Sequence, residues 1–142
     1  MLFRQKRFYV DTSVWRDYLE DRSDGLRPLG LFAFKFFHYC KKHRCKVLYS
    51  SHMLDEFGKA YSSERIQETM GLIDQDLLQQ VIVTKDAIIL AVDLQKQGMH
   101  KEDALHAALA IVNNAILVSR DKHFKENPDL VDGKTPEEAI LD

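Results

Sequence analysis

Apolar positions along the chain follow two periods, one typical of short buried strands and the other of amphipathic helices. The apolar runs predict strands at 8–10, 46–49, 80–84 and 115–118, with a short edge strand at 130–131. The helical period predicts helices at 12–20, 29–43, 52–61, 62–74 and 85–97, a helix from Lys101, and helical turns near Lys122 and Pro136. Strands that alternate with helices predict a parallel sheet covered on both faces.

The composition is typical of a globular protein. Of 142 residues, 45% are hydrophobic and 30% are charged, which argues against a disordered chain. The sequence has no repeat, linker or low-complexity segment, so we expect a single domain over residues 1–142. No apolar run reaches the roughly 18 residues of a membrane span, and the first residues lack the apolar core of a signal peptide. We therefore expect a cytoplasmic protein that does not associate with membranes.

Two cysteines, Cys40 and Cys45, are too few for a disulfide framework. With His38 and His43 they form the sequence HYCKKHRC, which raises the alternative of a zinc site. These ligands would straddle the end of a helix and the start of a strand, and zinc motifs usually have a cleaner pairwise spacing. The pattern therefore favours a helix that leads into a strand.

Two acidic residues follow predicted strands. Asp11 comes directly after strand 8–10, and Asp121 comes shortly after strand 115–118. Ligands of open α/β sheets bind at the carboxyl ends of the strands, so we expect both carboxylates to face one crevice. Each also has a structural alternative, because Asp11 can cap the helix after it and Asp121 can cap the turn at 122–124.

A third candidate lies on the helix predicted at 52–61. Met53, Phe57 and Ala60 mark the buried face of this helix. Glu56 flanks that face and can reach into a cleft, whereas Asp55 points nearly the opposite way, into solvent. The alternative for Glu56 is an ordinary residue at the boundary of an amphipathic helix.

Asp103 is a fourth candidate, in the first turn of an alanine-rich helix, where the helix dipole favours a carboxylate whatever its function. Ala107 and Ala110 on the same face permit a close approach of backbone or ligand. His106 lies along this side and either contacts a substrate or covers a packed surface. Glu102 points elsewhere and is the weaker candidate.

Convergence of these four acids would have an electrostatic consequence. Their like charges would raise their pKa values or require a cation. A site built only from oxygen ligands suits a hard divalent ion, so we expect Mg²⁺ or Mn²⁺.

Four segments carry a resemblance to a known family: YVDTSVW, SHMLDEF, EDALHAALA and LVSRDKHF, around the four acids in turn. They occur in the family's order and span nearly the whole chain. On these segments the chain resembles a PIN domain, and is most similar to the single-domain ribonucleases of the VapC toxin group. The resemblance implies an α/β fold, a three-layer α/β/α sandwich with a central parallel sheet of four to five strands.

The resemblance also implies a metal-dependent endoribonuclease that uses Mg²⁺ or Mn²⁺. It carries over four acids as catalytic and metal-binding residues: Asp11, Glu56, Asp103 and Asp121. It carries over Ser13 and Ser119 as supporting hydroxyls, with Ser119 at a position where threonine is frequent. Four basic residues near the acids in sequence are weaker candidates for contacts with the RNA backbone: Arg16, Lys101, Arg120 and Lys122.

Three functions stay open on the sequence. The first is hydrolysis of RNA phosphodiester bonds by metal-activated water, in the toxin of a toxin–antitoxin pair. The second is a PIN fold that binds RNA or protein without cleaving, since a fold does not guarantee an activity. The third is an RNA-processing nuclease that is not a toxin.

The helix predicted at 29–43 points to a protein partner. Aromatic residues lie on more than one of its sides: Phe32, Phe34, Phe36, Phe37 and Tyr39. A helix that is apolar around much of its girth is either deeply buried or part of an interface. We expect a homodimer contact or a groove for a small antitoxin protein on this helix.

Overall fold

The computed structural model describes residues 5–126 and 128–141. The strands are β1 (Arg7–Val10), β2 (Lys46–Ser50), β3 (Leu78–Val81), β4 (Ile116–Val118) and β5 (Gly133–Lys134). All pair in parallel in one sheet, in the order β3-β2-β1-β4-β5. The helices are α1 (Thr12–Glu20), α2 (Leu29–Lys42), α3 (Ser51–Gly58), α4 (Ser63–Met70), α5 (Lys85–Lys96), α6 (Lys101–Val112), α7 (His123–Glu126) and α8 (Pro136–Ala139).

Helices cover both faces of the sheet because neighbouring residues of a strand point in opposite directions. In β1, Phe8 and Val10 pack into a core with side chains of α1, α2, α3, α4 and α8. Tyr9, between them, packs into a second core with side chains of α5, α6 and α7. The expected three-layer α/β/α fold with a parallel sheet is thereby confirmed. No helix within the two described ranges is long and apolar enough to cross a membrane.

Polar side chains fix several helix starts. Asp11, Ser50, Ser62 and Thr84 are the N-cap residues of α1, α3, α4 and α5, and each side chain accepts a hydrogen bond from a backbone N–H of the first turn. The chain leaves α5 through Gly98, which has a positive φ of 106° that side-chain-bearing residues rarely adopt. Capping by Asp11 and Ser50 places the ends of β1 and β2 directly before helices.

Two strand predictions were wrong in position. The third strand is Leu78–Val81 rather than 80–84, since Ile82 is 72% exposed and Thr84 already caps α5. The edge strand is Gly133–Lys134 rather than 130–131. A side chain at Gly133 would place its Cβ 2.7 Å from the Cβ of Phe124, so only glycine lets this edge strand pack against α7.

Two helices end earlier than predicted. The helix expected at 62–74 ends at Met70, and the helix expected at 52–61 ends at Gly58. Ala60 therefore lies outside the helix and is exposed, whereas Met53 and Phe57 are fully buried as expected. Asp55 is exposed, in agreement with the helical-wheel argument.

The cysteines and histidines near the end of α2 do not form a metal-binding group within the described part of the chain. Cys40 and Cys45 are free and buried in the core. His38 and His43 are exposed, and their rings pack beside Phe34 and Tyr39 respectively. A helix leading into a strand is thus the structure at HYCKKHRC.

Helix α2 packs part of its aromatic surface into the core. Phe36 and Phe37 lie in the core, where the Phe37 ring stacks on Trp15 with centroids 4.3 Å apart. The exposed apolar residues on this helix are Leu31 and Phe34, at 43% and 44% exposure. The aromatic residues of α2 therefore pack into the core on one side of the helix and contribute to a small exposed apolar surface on the other.

Candidate active site

Asp11 is buried at the carboxyl end of the central strand β1 and is held there by three hydrogen-bond donors. Oδ1 accepts a hydrogen bond from the backbone N–H of Ser13 at 2.9 Å and another from the Ser13 hydroxyl. Oδ2 accepts one from the hydroxyl of Ser119, just past the neighbouring strand β4. Burial raises the pKa of Asp11, while the charge of His106 and these hydrogen bonds oppose the increase. The carboxyl group is thus fixed in orientation.

Asp103 and Asp121 form a second part of the site together with His123. One ligand atom from each lies within 4.8 Å of those of the other two. His123 Nδ1 is 2.9 Å from Asp121 Oδ1 and 3.5 Å from Asp103 Oδ2. Burial raises the pKa of Asp103, and the nearby charges of Asp121 and Asp11 raise it further. These two acids therefore lie close enough to repel each other.

Glu56 reaches the same edge of the sheet from α3. Its Oε1 lies 2.5 Å from Nε2 of His106 and accepts a longer hydrogen bond, 3.3 Å, from the Thr12 hydroxyl. Burial alone would raise the pKa of Glu56, but the hydrogen bond and charge of His106 outweigh it and lower the pKa. Thr12 follows Asp11 in the chain, so Glu56 is connected to the Asp11 part of the site.

His106 is the buried centre of a hydrogen-bond network under the site. It is 4% exposed, and its Nδ1 lies 2.8 Å from the Tyr9 hydroxyl. That hydroxyl lies 2.7 Å from Oγ of Ser50, which caps α3. Burial lowers the pKa of His106, but Glu56 and Asp11 raise it more. Of the two roles considered from the sequence, the network fits an internal, packed histidine that orients Glu56.

The structure thus brings the four predicted acids to one edge of the sheet, at the carboxyl ends of β1, β2 and β4. Charge interactions and one hydrogen bond connect them. The negative charges of Asp121 and Asp11 raise the pKa of Asp103. His106 forms a hydrogen bond with Glu56, and its positive charge opposes the increase that burial causes in the pKa of Asp11. Carboxylate oxygens of this kind are ligands that divalent cations prefer.

Two of the four predicted RNA-binding residues make ion pairs within the chain. The guanidinium of Arg120 is bidentate to Glu137, at 2.6 and 2.7 Å, and lies 3.5 Å from Asp17. Only 14% of its side chain is exposed, so Arg120 connects elements of the fold and is not available to an RNA chain. Arg16 pairs with Glu20 one helical turn later, at 3.6 Å, and is 38% exposed. The other two, Lys101 and Lys122, are exposed.

Sequence reasoning missed two histidines. His123 follows Asp121 by two residues at the start of α7, a spacing that could have drawn attention to it. His52 precedes Glu56 by one helical turn, and its Nε2 lies 3.7 Å from Glu56 Oε1. Burial and the charge of His106 lower the pKa of His52. Neither histidine stands out from the hydrophobic periodicity or from a search for acidic residues. Only a search for pairs of metal-ligating residues two or four positions apart would have found them.

The fold and the site together define a parallel α/β protein with a cluster of acids at the carboxyl edge of its sheet. The model of the PIN domain matches residues 8–130 of the sequence. The chain belongs to the PIN domain family. A comparison with curated proteins finds no significant match.

Solved structures with this fold include several toxin–antitoxin proteins. VapBC2 from Rickettsia felis, bound to a promoter DNA fragment, matches with 19% identity, 91% coverage of this chain, 98% of that chain and a TM-score of 0.63. A toxin–antitoxin complex from Klebsiella pneumoniae matches with 17% identity, coverages of 90% and 96%, and a TM-score of 0.64. VapBC-1 from nontypeable Haemophilus influenzae matches with 14% identity, coverages of 92% and 98%, and a TM-score of 0.62. At these identities the likeness establishes the fold.

Proposed function

We propose that the protein is a metal-dependent endoribonuclease that hydrolyses RNA phosphodiester bonds, and that it is the toxin of a toxin–antitoxin pair. The observation that carries the proposal is the convergence of Asp11, Glu56, Asp103 and Asp121 at one sheet edge. Membership of the PIN domain family and the likeness to toxin–antitoxin structures support it.

The donor set fits a divalent cation. Burial and the charge of Asp121 raise the pKa of Asp103, which is the electrostatic stress that a cation relieves. Oδ1 of Asp11 already accepts two hydrogen bonds, but Oδ2 accepts only one and retains a lone pair for a ligand. Oxygen ligands favour Mg²⁺ or Mn²⁺, and we assign the four acids as the residues that would hold the ion.

When bound, the cation would acidify a water molecule and offset the negative charge that develops on the phosphodiester. The residues of this chain contribute orientation. Ser13 and Ser119 hold the Asp11 carboxylate, while Thr12 and His106 hold Glu56. A carboxylate held in this way needs little reorganisation when the ion and the RNA bind.

Exposed basic residues near the acids suit the RNA backbone. Lys101 precedes Asp103 at the start of α6, and Lys122 follows Asp121. We assign these lysines to phosphate contacts, which give affinity without sequence specificity. RNA binding should therefore weaken as the salt concentration rises.

A groove beside α1, α2 and α4 suits an antitoxin segment. Its walls combine apolar and charged side chains: Tyr18, Leu19, Leu31, Phe34, Arg65 and Glu68. An amphipathic peptide helix can bury its apolar face against Leu31 and Phe34 and pair with the charges at the rim. We assign this groove to the antitoxin, the partner that the structures from Rickettsia felis and Klebsiella pneumoniae also suggest.

A different surface suits a second copy of the chain. Helix α5 exposes Ile88, Ile89 and Val92 to the extent of 51%, 58% and 44%, and Ile82 before it is 72% exposed. Clustered exposed apolar side chains of this kind mark interaction surfaces. We assign this surface to a homodimer, which leaves the groove on α2 free for the antitoxin.

Cleavage of RNA by purified protein tests the nuclease. A mixed pool of structured and single-stranded RNA is incubated with Mg²⁺, with Mn²⁺ or with EDTA. We expect cleavage with either ion and none with EDTA. Asp11→Asn and Glu56→Gln should abolish it, whereas Asp55→Asn should cleave as the unaltered protein does, because Asp55 is exposed next to Glu56 but outside the site.

The outcomes separate the alternatives. If the unaltered protein and Asp11→Asn give equal backgrounds and neither binds Mn²⁺ in calorimetry, the protein is a non-catalytic RNA- or protein-binding module. If cleavage depends on the metal but expression does not arrest growth, and no adjacent small protein neutralises the activity, the nuclease serves RNA processing.

A further inference from the structure

His52, Glu56 and His106 form a second group of metal-ligating side chains beside the acidic site. His52 and Glu56 lie one turn apart on α3, and His106 faces them from α6. One ligand atom from each lies within 4.8 Å of those of the other two. Glu56 Oε1 is 2.5 Å from His106 Nε2 and 3.7 Å from His52 Nε2. Two imidazoles and one carboxylate therefore lie close enough together to share one ion.

We infer that His52, Glu56 and His106 bind Zn²⁺ at a site that shares only Glu56 with the acidic site. Zinc takes imidazole nitrogen and carboxylate oxygen at roughly 2.0–2.2 Å, usually in a tetrahedral arrangement, so its ligand atoms lie roughly 3.3 Å from one another. The observed separations of 2.5 and 3.7 Å bracket that value. Small side-chain movements are enough to form the site. Imidazole ligands favour zinc over magnesium, which prefers oxygen.

The environment of His52 supports the inference independently. Its Nε2 atom is buried and makes no hydrogen bond. Two carboxylate oxygens face this atom, that of Glu102 at 3.1 Å and that of Glu56 at 3.7 Å. A buried polar atom without a hydrogen bond is costly. A cation between this nitrogen and the carboxylates removes that cost.

The ring of His106 is already oriented for a metal. Ligation through Nε2 requires the proton on Nδ1, and the Tyr9 oxygen, 2.8 Å away, can accept that proton's hydrogen bond. The Tyr9 hydroxyl can in turn donate to Ser50 Oγ at 2.7 Å. Outer hydrogen bonds of this kind fix the tautomer and ring orientation of metal-binding histidines.

Zinc binding would also affect the acidic site, because Glu56 belongs to both groups. An ion held by His52 and His106 would withdraw Glu56 from the Mg²⁺ or Mn²⁺ site. Zn²⁺ would then inhibit RNA cleavage; this consequence rests on the proposed function. The site itself rests on the side-chain geometry alone.

Metal titration tests the inference. EDTA-treated protein, freed of chelator, is titrated with Zn²⁺ by calorimetry in excess Mg²⁺, and with Co²⁺ by visible absorption. We expect one Zn²⁺ per chain and the Co²⁺ bands of a site with nitrogen ligands. Loss of an outer-sphere partner typically weakens metal binding about tenfold or more, so loss of a ligand in His52→Ala should weaken it at least as much. His38→Ala and Asp103→Asn should bind as the unaltered protein does, because His38 is exposed on α2 and Asp103 lies outside the ligand set.

The result that overturns the inference is Zn²⁺ affinity and a Co²⁺ spectrum unchanged by His52→Ala. Zn²⁺ binding lost in Asp103→Asn but kept in His52→Ala would place the ion on the acidic site and also overturn it. Nitrogen NMR of the unaltered protein gives a test without substitutions, in which Zn²⁺ should shift Nε2 of both His52 and His106. If Zn²⁺ does not bind, the proposed nuclease activity is not contradicted. If RNA is not cleaved, the proposed zinc site is not contradicted.

Discussion

The Tyr9 hydroxyl lies 2.8 Å from Nδ1 of His106 and connects the central strand β1 to helix α6 beneath the acids. Both side chains are buried. The Tyr9 hydroxyl also contacts Ser50, and burial raises the pKa of Tyr9, so the phenol is neutral. A neutral hydroxyl can donate one hydrogen bond and accept another, which is what a position between Ser50 and His106 requires.

Tyr9→Phe should destabilise the fold. The substitution removes one buried hydrogen bond from Oγ of Ser50 and the one at Nδ1 of His106, which costs about 1–3 kcal/mol of unfolding free energy. Urea denaturation followed by circular dichroism measures it. Tyr49→Phe is the control, because Tyr49 is partly buried and its hydroxyl makes no hydrogen bond within the described ranges. Equal stability of Tyr9→Phe and Tyr49→Phe would contradict the network.

Arg120→Ala should be strongly destabilising. Asp17 is 1% exposed, and its burial raises its pKa while Arg120 and Arg22 oppose the increase. Removal of Arg120 leaves a buried carboxylate with much less compensation, a loss of about 3–5 kcal/mol in unfolding free energy. Thermal and urea unfolding measure the loss.

The matched control for Arg120→Ala is Lys125→Ala. The Lys125–Glu138 pair is exposed, at 46% and 44% of the two side chains, so its loss should cost about 1 kcal/mol or less. If both substitutions cost the same, Arg120 does not compensate the buried carboxylate of Asp17.

The lowered pKa of Glu138 predicts that the stability of the fold depends on pH. The ammonium of Lys125 and the hydrogen bonds from Thr135 lower the pKa of Glu138 from 4.5 to about 2. A lowered pKa in the folded state stabilises the protein above the unfolded value of 4.5, and this stabilisation is lost as the pH falls from 4.5 towards 2. Because 44% of the Glu138 side chain is exposed, Glu138→Gln should cost only about 1 kcal/mol or less at pH 7.

Urea unfolding of Glu138→Gln and the unaltered protein between pH 7 and pH 2 checks this expectation. The difference in unfolding free energy between the two proteins should be constant down to about pH 5 and should shrink at lower pH. Glu126→Gln provides the reference, since Glu126 is exposed on α7 and makes no ion pair within the described residues. If the difference in unfolding free energy grew as the pH fell, the predicted direction of the pH dependence would be wrong.

Ile89→Glu should dissociate the proposed homodimer. Burial of an isoleucine side chain contributes about 1.5–3 kcal/mol, and a twofold interface loses two copies, or about 3–6 kcal/mol. The dimer dissociation constant should therefore rise by about a hundredfold or more. Sedimentation velocity measures it, with Leu26→Glu as the control because Leu26 is fully exposed in the loop before α2. Retention of the dimer in Ile89→Glu would exclude α5 as the interface.

The amino-acid sequence by itself determined the main elements and their order. Strand β1 was readable because Phe8, Tyr9 and Val10 form an apolar run that stops at a carboxylate, and the helices were readable from their 3.6-residue period. The parallel sheet follows from the alternation of strands and helices. Asp11 and Asp121 could be selected as candidates because the carboxyl ends of parallel strands meet at one edge.

Local pattern alone placed two strands wrongly. The apolar run Val81, Ile82 and Val83 predicted a strand, but pairing of Val47 with Leu78 fixes β3 two residues earlier. The edge strand at Gly133 has no apolar pattern, and depends on the space that a glycine leaves beside Phe124. Both positions are set by neighbours distant in sequence.

The tertiary structure alone decided which polar side chains meet. His106 contacts Glu56 from 50 residues away, and Ser119 contacts Asp11 from 108 residues away. No periodicity within either segment encodes such a contact. The first depends on how helices α3 and α6 dock on opposite faces of the sheet, and the second on the pairing of β1 with β4. The sequence therefore determined which acids could form a site, while packing decided that two histidines and a buried tyrosine orient one of them.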